Sequence, residues 1–247
     1  MKEAHDIRSL SVTYYDGFHL GMHRHEWAQL VYARSGMIRL FAGGELWFVP
    51  PTRAIWIPAE TDHEFNTKGE VAFRTLYVSP QRSRLVSRGL GALEVSTLLG
   101  ELILYILSHQ MLDPHVPSED RLAGVLVDLL NAAPSIDFML PLPIDVRARR
   151  LADWFQAHPE DVADLSWLAT QSGASVRTLQ RCFVAETGMS IDSWRQKARL
   201  ISSTTALLDG CSVTNAALDS GYDSPSAFIA AFKRQFGVTP RRFAKSC

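Results

Sequence analysis

The chain has 247 residues, 47% of them hydrophobic, which is ample for one large or two ordinary domains and excludes a disordered tail protein. The net charge is −1, but residues 145–247 hold thirteen Lys and Arg against ten Asp and Glu (+3), and residues 1–144 hold twelve against sixteen (−4). Cys182, Cys211 and Cys247 show no CxxC spacing and indicate no disulfide framework. Without an apolar signal core or a run of about 18 apolar residues, we expect a cytoplasmic protein with no membrane partner.

Short strands dominate the first third of the chain. The β-branched and aromatic runs are separated by Gly and Pro turns, and they cover residues 29–33, 37–41, 45–49, 54–57 and 73–78. Many short strands at such spacing are typical of a barrel or jelly roll. We therefore predict a β-barrel over residues 1–80.

Three histidines in this region have a spacing suited to metal ligands. His23 and His25 lie at i and i+2 of a strand and so point to the same side; Gln29 follows four residues later and His63 comes from a further strand. The pattern resembles the two motifs of the cupin barrel, with Gln29 where Glu is usual and Glu60 where Gly is usual. The resemblance implies one divalent transition metal, Zn, Ni, Cu or Fe, held by His23, His25, Gln29 and His63. The histidines are also compatible with hydrogen bonding in the barrel mouth and no metal.

Two apolar helices are predicted next, over residues 92–112 and 118–131. The first carries a wide stripe of Leu98, Leu99, Leu102, Ile103, Ile106 and Leu107. The second has Ser118 as its N-cap and an apolar face of Leu122, Val125, Leu126, Leu129 and Leu130. The pair either packs onto the barrel of its own chain or forms the contact of a homodimer, so residues 81–133 are a candidate dimerisation segment with the contact over residues 92–131.

A linker is predicted over residues 134–144. Pro134, Pro141 and Pro143 prevent a continuous helix there. Between them lie Ile136, Phe138, Met139, Leu140 and Leu142, which are too apolar for a free tether. We interpret this segment as a connection that docks on the domains on both sides and transmits state between them.

The last hundred residues contain one helical unit twice. Shifted by 48 residues, Leu165, Ala169 and Gly173 correspond to Val213, Ala217 and Gly221. After one inserted residue, Ser175, Leu179, Phe183, Gly188 and Trp194 correspond at a shift of 49 to Ser224, Phe228, Phe232, Gly237 and Phe243. In each copy a short apolar helix meets a Gly turn, and a Ser then caps a second helix, which is the pattern of a helix-turn-helix.

The second helix of each copy leaves a set of residues pointing outward. These are Arg177, Thr178, Gln180 and Arg181 in the first copy, and Ser226, Ala227, Ala230 and Lys233 in the second. An exposed Arg or Gln can form paired hydrogen bonds with base edges in the major groove. We expect the first set to supply most base discrimination and the smaller second set to make mainly phosphate and methyl contacts.

The repeat and the closing GVTPRRF resemble the DNA-binding domain of the AraC/XylS family of transcription regulators, over about residues 145–247. The resemblance implies two three-helix subdomains joined by a long helix near residues 193–208, with recognition helices in successive major grooves about 34 Å apart. It also implies double-stranded DNA, RNA polymerase and a second copy of the chain as partners. A small-molecule effector and control of a neighbouring transporter or efflux gene are further implications.

The fold class is therefore predicted to be α+β: a cupin-like sensor barrel, a helical dimerisation segment, a linker, and an all-α double helix-turn-helix domain over residues 145–247. The expected function is sequence-specific transcription regulation without enzymatic activity. Two other functions fit parts of the sequence. One is a metal-dependent cupin enzyme with a DNA-binding appendage, and the other is a constitutive DNA-binding protein whose barrel is only a dimer scaffold.

Overall fold

The computed structural model describes residues 5–51, 53–159 and 163–245, and they form two compact units. The first unit runs up to Phe138, apart from Gly44–Leu46; the second comprises Gly44–Leu46 and the residues from Met139 onward. No helix among the described residues is long and apolar enough to cross a membrane. Cys182 and Cys211 are free thiols, and Cys247 lies outside the described residues.

The elements of the first unit are mainly strands. They are β1 (Ile7–Tyr14), β2 (His19–His23), β3 (Ala28–Ala33), β4 (Met37–Ala42), β5 (Glu45–Val49), β6 (Arg53–Ile57), β7 (His63–Lys68), β8 (Val71–Val78), α1 (Pro80–Ser83), β9 (Gly91–Glu94), α2 (Thr97–His109), β10 (Met111–Leu112) and α3 (Pro117–Ala132). One sheet has the order β10-β1-β8-β3-β6-β9, with antiparallel neighbours. In the other sheet β5, β4, β7 and β2 are neighbours in that order.

Strand register sorts the side chains of the larger sheet onto its two faces. Gln29 of β3 pairs with Tyr77 of β8, whereas Leu30 pairs with Leu76. Because side chains alternate along a strand, Gln29 and Tyr77 share one face and the two leucines share the other. The face with the two leucines is mainly apolar, and Gln29 and Tyr77 lie on the other face.

Helices α2 and α3 cover the apolar face. Leu30 and Leu76 belong to one buried cluster with Ile103 of α2 and Leu126 of α3. Most of the predicted apolar stripe is thus buried within its own chain, because the two helices close the core of the sheet. Leu98, Tyr105 and Val125 of the same helices remain exposed.

Three details differ from the sequence predictions. The apolar run 92–112 is not one helix, because Gly91–Glu94 pairs antiparallel with β6 as an edge strand and α2 begins only at Thr97. Ser118 is not an N-cap: α3 begins at Pro117, and the cap position is Val116, which makes no side-chain capping hydrogen bond. Pro is well suited to the first helical position because its missing N–H has no partner there. The strands β1, β2 and β7 were not distinguished individually in the sequence.

From Met139 onward, the described part of the second unit has one short strand, β11 (Met139–Pro141), and its other regular elements are helices. Its helices are α4 (Val146–Ala157), α5 (Leu165–Ser172), α6 (Val176–Thr187), α7 (Ile191–Leu208), α8 (Val213–Asp219), α9 (Pro225–Phe236) and α10 (Pro240–Lys245). The pairs α5–α6 and α8–α9 are the two predicted helix-turn-helix units, and α7 is the long joining helix. The predicted α+β class is confirmed.

Local chemistry produces the same turn in both copies. Gly173 and Gly221 follow α5 and α8 with left-handed φ values of 77° and 70°. Ser175 then caps α6 by accepting a hydrogen bond from the N–H of Thr178 at 3.2 Å. Ser224 caps α9 in the same way. The two serines satisfy backbone donors that would otherwise lack partners at the helix starts.

Equivalent aromatic residues then close the two cores. Trp194 contacts the ring of Phe183 edge-on, with centroids 5.8 Å apart. Phe243, which stands 49 residues later, contacts Phe232 edge-on at 5.5 Å. All four side chains are buried. The repeat therefore extends from the turn chemistry to the packing of the aromatic core.

The predicted linker is anchored at residues on either side of the unit boundary. Phe138 is 2% exposed, and its carbonyl accepts a hydrogen bond from the Phe48 N–H within the first unit. Within the second unit, Trp194 Nε1 donates to the carbonyl of Pro141 at 2.6 Å. Leu140 is fully buried. The segment therefore has buried apolar side chains at Phe138, Leu140 and Leu142.

A matched pair of substitutions in α6 tests which face of the helix contributes to the free energy of unfolding. Leu179→Ala should lower the free energy of unfolding by about 2–5 kcal/mol, because Leu179 is fully buried and its loss leaves a cavity. Gln180→Ala, one residue along and exposed, should change it by about 0.5 kcal/mol or less. Urea unfolding followed by the helical circular dichroism signal measures both. Equal losses would contradict the assignment of buried and exposed faces.

Candidate functional site

Three histidines of the first unit converge at one place in the smaller sheet. His23 ends β2 and pairs with His63 at the start of β7, and their ring centroids are 4.3 Å apart. The prediction that His23 and His25 lie in one strand is wrong for His25, which follows in the next loop because β2 ends at His23; its ring is 5.1 Å from that of His63. One ring nitrogen from each histidine lies within 4.8 Å of the others. The residues predicted from the HxH spacing and from the distant His63 are thus brought together.

The turn before His63 explains a departure from the cupin motif. Glu60, which stands where Gly is usual, has a left-handed φ of 60°. Its N–H donates to the carbonyl of His25 at 2.9 Å, which ties the His63 turn to the HxH segment. A residue with a Cβ adopts this conformation at a cost of about 1–2 kcal/mol. The backbone requirement for a Gly-like conformation therefore persists although the residue differs.

Backbone carbonyls fix the orientation of all three rings. The Nδ1 atoms of His23, His25 and His63 lie 2.9, 2.5 and 2.8 Å from the carbonyls of Gly21, Trp27 and Thr61. Carbonyl oxygens only accept hydrogen bonds, so in each case the Nδ1 nitrogen carries the proton. In the neutral rings the lone pair is then on Nε2. Burial lowers the pKa of His63 to about 4, so this ring is neutral at pH 7.

Gln29 presents its carboxamide oxygen to two of these rings. Gln29 Oε1 lies 3.2 Å from Nε2 of His25 and 3.2 Å from Nε2 of His63. The amide orientation is set by Thr75, whose hydroxyl donates to the carbonyl of Leu30 and must therefore accept from Gln29 Nε2. Thr75 was not identified from the sequence. Its position opposite β3 depends on strand pairing, which the local pattern does not contain.

The cluster is a set of electron-pair donors that face one another. With His63 neutral, its Nε2 and Gln29 Oε1 are both acceptors, and no proton lies between them. A cation between these atoms would remove the repulsion. Two ligands bound to one ion at about 2.1 Å lie roughly 3 Å apart, which matches the 3.2 Å separations in this site. Three imidazoles and an amide oxygen fit a divalent transition metal, and the Nδ1 hydrogen bonds are the outer contacts that such ligands use.

A tyrosine lies beside the cluster. Tyr77 pairs with Gln29 across the sheet and contacts the His25 ring edge-on at 5.3 Å. Burial raises the pKa of its hydroxyl. By contrast Tyr32 and Trp56, which the sequence alone could not place, lie in the helix-covered core. The alternation of side chains along the strands thus places Tyr77 beside the histidine cluster, and it places Tyr32 and Trp56 in the core.

In the second unit, α6 has one exposed face opposite its buried one. Arg177, Gln180 and Arg181 are exposed, and Thr178 is half-buried. On the opposite face, Leu179 and Phe183 are fully buried. Val184, 56% exposed, continues the outward face by one turn and was not identified from the sequence. The three long polar side chains therefore stand together at the surface.

Helix α9 exposes the equivalent face with different chemistry. Ser226, Ala227, Ala230 and Lys233 are all exposed. Ile229 lies at the edge of this face with 37% of its surface exposed, and it was also missed in the sequence. Extending the repeat identifies both missed residues, since at the shift of 49 residue 229 corresponds to residue 180 and residue 184 corresponds to residue 233.

Two family models match the chain. An AraC-like ligand binding domain matches residues 9–134, and a helix-turn-helix domain matches residues 168–246. The chain belongs to the AraC family of transcriptional regulators. The HTH-type transcriptional regulator NimR of Escherichia coli (strain K12) is 32% identical over 222 residues, which cover 90% of this chain and 81% of NimR.

Two further regulators are similar to a smaller part of this AraC-family chain. RipA of Corynebacterium glutamicum is 35% identical over 103 residues, 42% of this chain and 31% of RipA. The transcriptional regulator Rob of Salmonella typhimurium is 34% identical over 99 residues, 40% of this chain and 34% of Rob. The predicted DNA-binding regulator is confirmed, and the alternative of a cupin enzyme is not favoured, because the similar proteins are regulators.

Proposed function

We propose that this AraC-family protein binds double-stranded DNA as a homodimer through α6 and α9, and that a divalent metal at the histidine cluster modulates its activity. The observation that carries the DNA part is the pair of exposed helix faces at equivalent positions of the repeat. Each is backed by a buried aromatic core, which holds the helix rigidly for insertion into a major groove.

The two faces support different contributions to binding. Arg177 and Arg181 can each form a bidentate pair with guanine, and Gln180 can do so with adenine. Lys233 and Arg234, exposed in the last turn of α9, are suited to phosphate contacts that carry no sequence information. The net charge of only +3 beyond residue 144 supports weak non-specific binding that falls steeply with salt.

Substitutions in the two helices should separate base reading from phosphate binding. Arg181→Ala should cost about 1–3 kcal/mol at one base position and relax discrimination there. Lys233→Ala should weaken binding to all sequences about equally. The assay is binding of the full-length protein to fragments of its own genome at about 0.15 M salt, followed by footprinting. Equal losses of Arg181→Ala on specific and random DNA would contradict its role, and a site beside a transporter gene would support the expected target.

Exposed apolar residues on α2 and α3 support the homodimer. Leu98 is 62% exposed, Tyr105 50% and Val125 42%, although the helices that carry them are otherwise well packed. Glu101 and Arg121 are exposed on the same two helices and supply opposite charges. A two-fold axis brings the same surface of both chains together, so such a surface can be complementary to itself.

A charge placed in this surface should separate the dimer. Val125→Asp should reduce the solution mass from twice the chain mass to the chain mass of 27.6 kDa, because the carboxylate would be buried in the dimer interface. Leu218→Asp is the matched control, since Leu218 is similarly exposed but lies on α8. Light scattering after gel filtration measures both, with circular dichroism to verify folding. A Val125→Asp variant that is folded and still dimeric would contradict the proposed dimer interface.

The histidine cluster supports the metal part of the proposal. His23, His25 and His63 would hold the ion through Nε2, with Gln29 Oε1 as a fourth ligand. A bound divalent metal would supply positive charge at a point where donors from β2, β3, β7 and the intervening loop meet. Within the first unit the bound ion would cross-link these segments and hold them in a fixed arrangement. A sensor can use such a change in order.

Metal content and metal affinity test this part. Purified protein should carry close to one equivalent of Zn, Ni, Cu or Fe, and His63→Ala should carry none. Thr75→Val should weaken metal binding about 10–100-fold, because Gln29 loses the hydroxyl that orients its amide. Thr67→Val is the control, since its buried hydroxyl bonds to the carbonyl of Tyr15 instead. Wild-type metal content no higher than that of His63→Ala would refute the site.

A further inference from the structure

The internal repeat assigns to each exposed residue of α6 a counterpart on α9. The buried residues Leu179 and Phe228 correspond at the shift of 49, so the residues that follow them, Gln180 and Arg181, correspond to Ile229 and Ala230. By the same shift Arg177, Thr178 and Val184 correspond to Ser226, Ala227 and Lys233. The buried positions therefore match in the two copies while the exposed positions differ in chemistry.

The difference is one of hydrogen-bonding capacity. At the positions of Gln180 and Arg181, α6 carries an amide and a guanidinium, both able to bond to base edges. Helix α9 carries a branched alkyl side chain and a methyl group there, and Ile229 is 37% exposed although isoleucine is usually buried. Ala227 and Ala230 are small and exposed, so nothing large keeps this face away from a surface that it meets.

A face of this kind matches one feature of the major groove. Each A·T pair presents there the C5-methyl group of thymine, which apolar side chains contact. A G·C pair has no methyl group there, and its polar groups would lose their water against an alkyl side chain without a new hydrogen bond. Ser226 and Lys233 flank the alkyl residues and are suited to the phosphates on either side.

We propose that α9 recognises thymine C5-methyl groups, with Ile229 as the specificity-determining residue and Ala227 and Ala230 permitting close approach. This inference rests on the proposed binding of DNA through α6 and α9. Its consequence is an asymmetric half-site. The base pairs under α6, called the α6 box, are read by hydrogen bonds to purines. The base pairs under α9 form the other box, about one helical turn away, and are read through thymine methyl groups.

The test removes the methyl group without changing base pairing. A selected operator is first obtained with the full-length protein, and the positions that lose discrimination in Arg181→Ala mark the α6 box. Each thymine in the other box, about ten base pairs away, is then replaced by deoxyuridine. We expect about four-fold weaker binding at one or two of these positions, the effect of one buried methyl group, and little change for thymines outside the boxes.

The second part of the test asks whether Ile229 and the thymine methyl group contribute to binding together. Ile229→Ala should bind the thymine operator more weakly and should no longer distinguish thymine from uracil at the sensitive positions. Gln180→Ala should keep that sensitivity, because its contact lies in the other box. Ile229→Ala that retains the full thymine preference would overturn the proposal.

Two further outcomes have distinct meanings. A wild-type protein that selects an operator but tolerates uracil at every thymine under α9 would overturn this inference and leave the proposed DNA binding intact. A protein that selects no sequence would contradict the proposed function itself. Ile229→Ala that leaves DNA binding unchanged but lowers transcription would show that the alkyl face meets a protein, which also overturns the inference.

Discussion

Burial of one side of α6 and of α9 is the constraint on which the second unit depends. Phe183 and Phe232 are fully buried and meet the equivalent aromatic residues Trp194 and Phe243 edge-on. Because an α-helix places residues three and four apart on the same side, fixing the buried face also fixes which residues face outward. The outward residues of α6 and α9 are thus set by core packing and are free to vary in chemistry. The two copies share their cores and differ in their exposed faces.

The first unit uses the same separation of faces in a sheet. Alternation along β3 and β8 sends Leu30 and Leu76 into the core under α2 and α3, and it sends Gln29 to the opposite side. On that side a buried amide is acceptable only if its polar atoms have partners, and Thr75 supplies one. The carboxamide oxygen is thereby left facing the histidines. A packing requirement on one face and a hydrogen-bonding requirement on the other together define the candidate metal site.

Both candidate sites depend on supporting groups that position the site residues but are not site residues themselves. Thr75 orients Gln29, and the carbonyl of Thr61 sets the tautomer of His63. In the second unit, Ser175 and Ser224 begin the recognition helices at fixed residues. Such supporting contacts determine where a ligand atom or a recognition side chain points.

The sequence by itself determined the features that depend on neighbours along the chain. The Gly turns, the Ser caps and the apolar spacing of α5, α6, α8 and α9 are local, and the internal repeat made their pattern unambiguous. The HxH spacing likewise indicated that His23 and His25 act together, although only His23 lies in a strand. Tertiary structure decided the rest, because strand pairing and competition for a core are non-local. It made residues 91–94 an edge strand instead of the start of a helix. It placed Tyr77 opposite Gln29 and Thr75 within hydrogen-bonding distance of the Gln29 amide. It also left Leu98 and Val125 exposed while Leu99 and Leu126 were buried. No local pattern distinguishes such residues, since both members of each pair are equally apolar and only the packed neighbours determine which one loses contact with water.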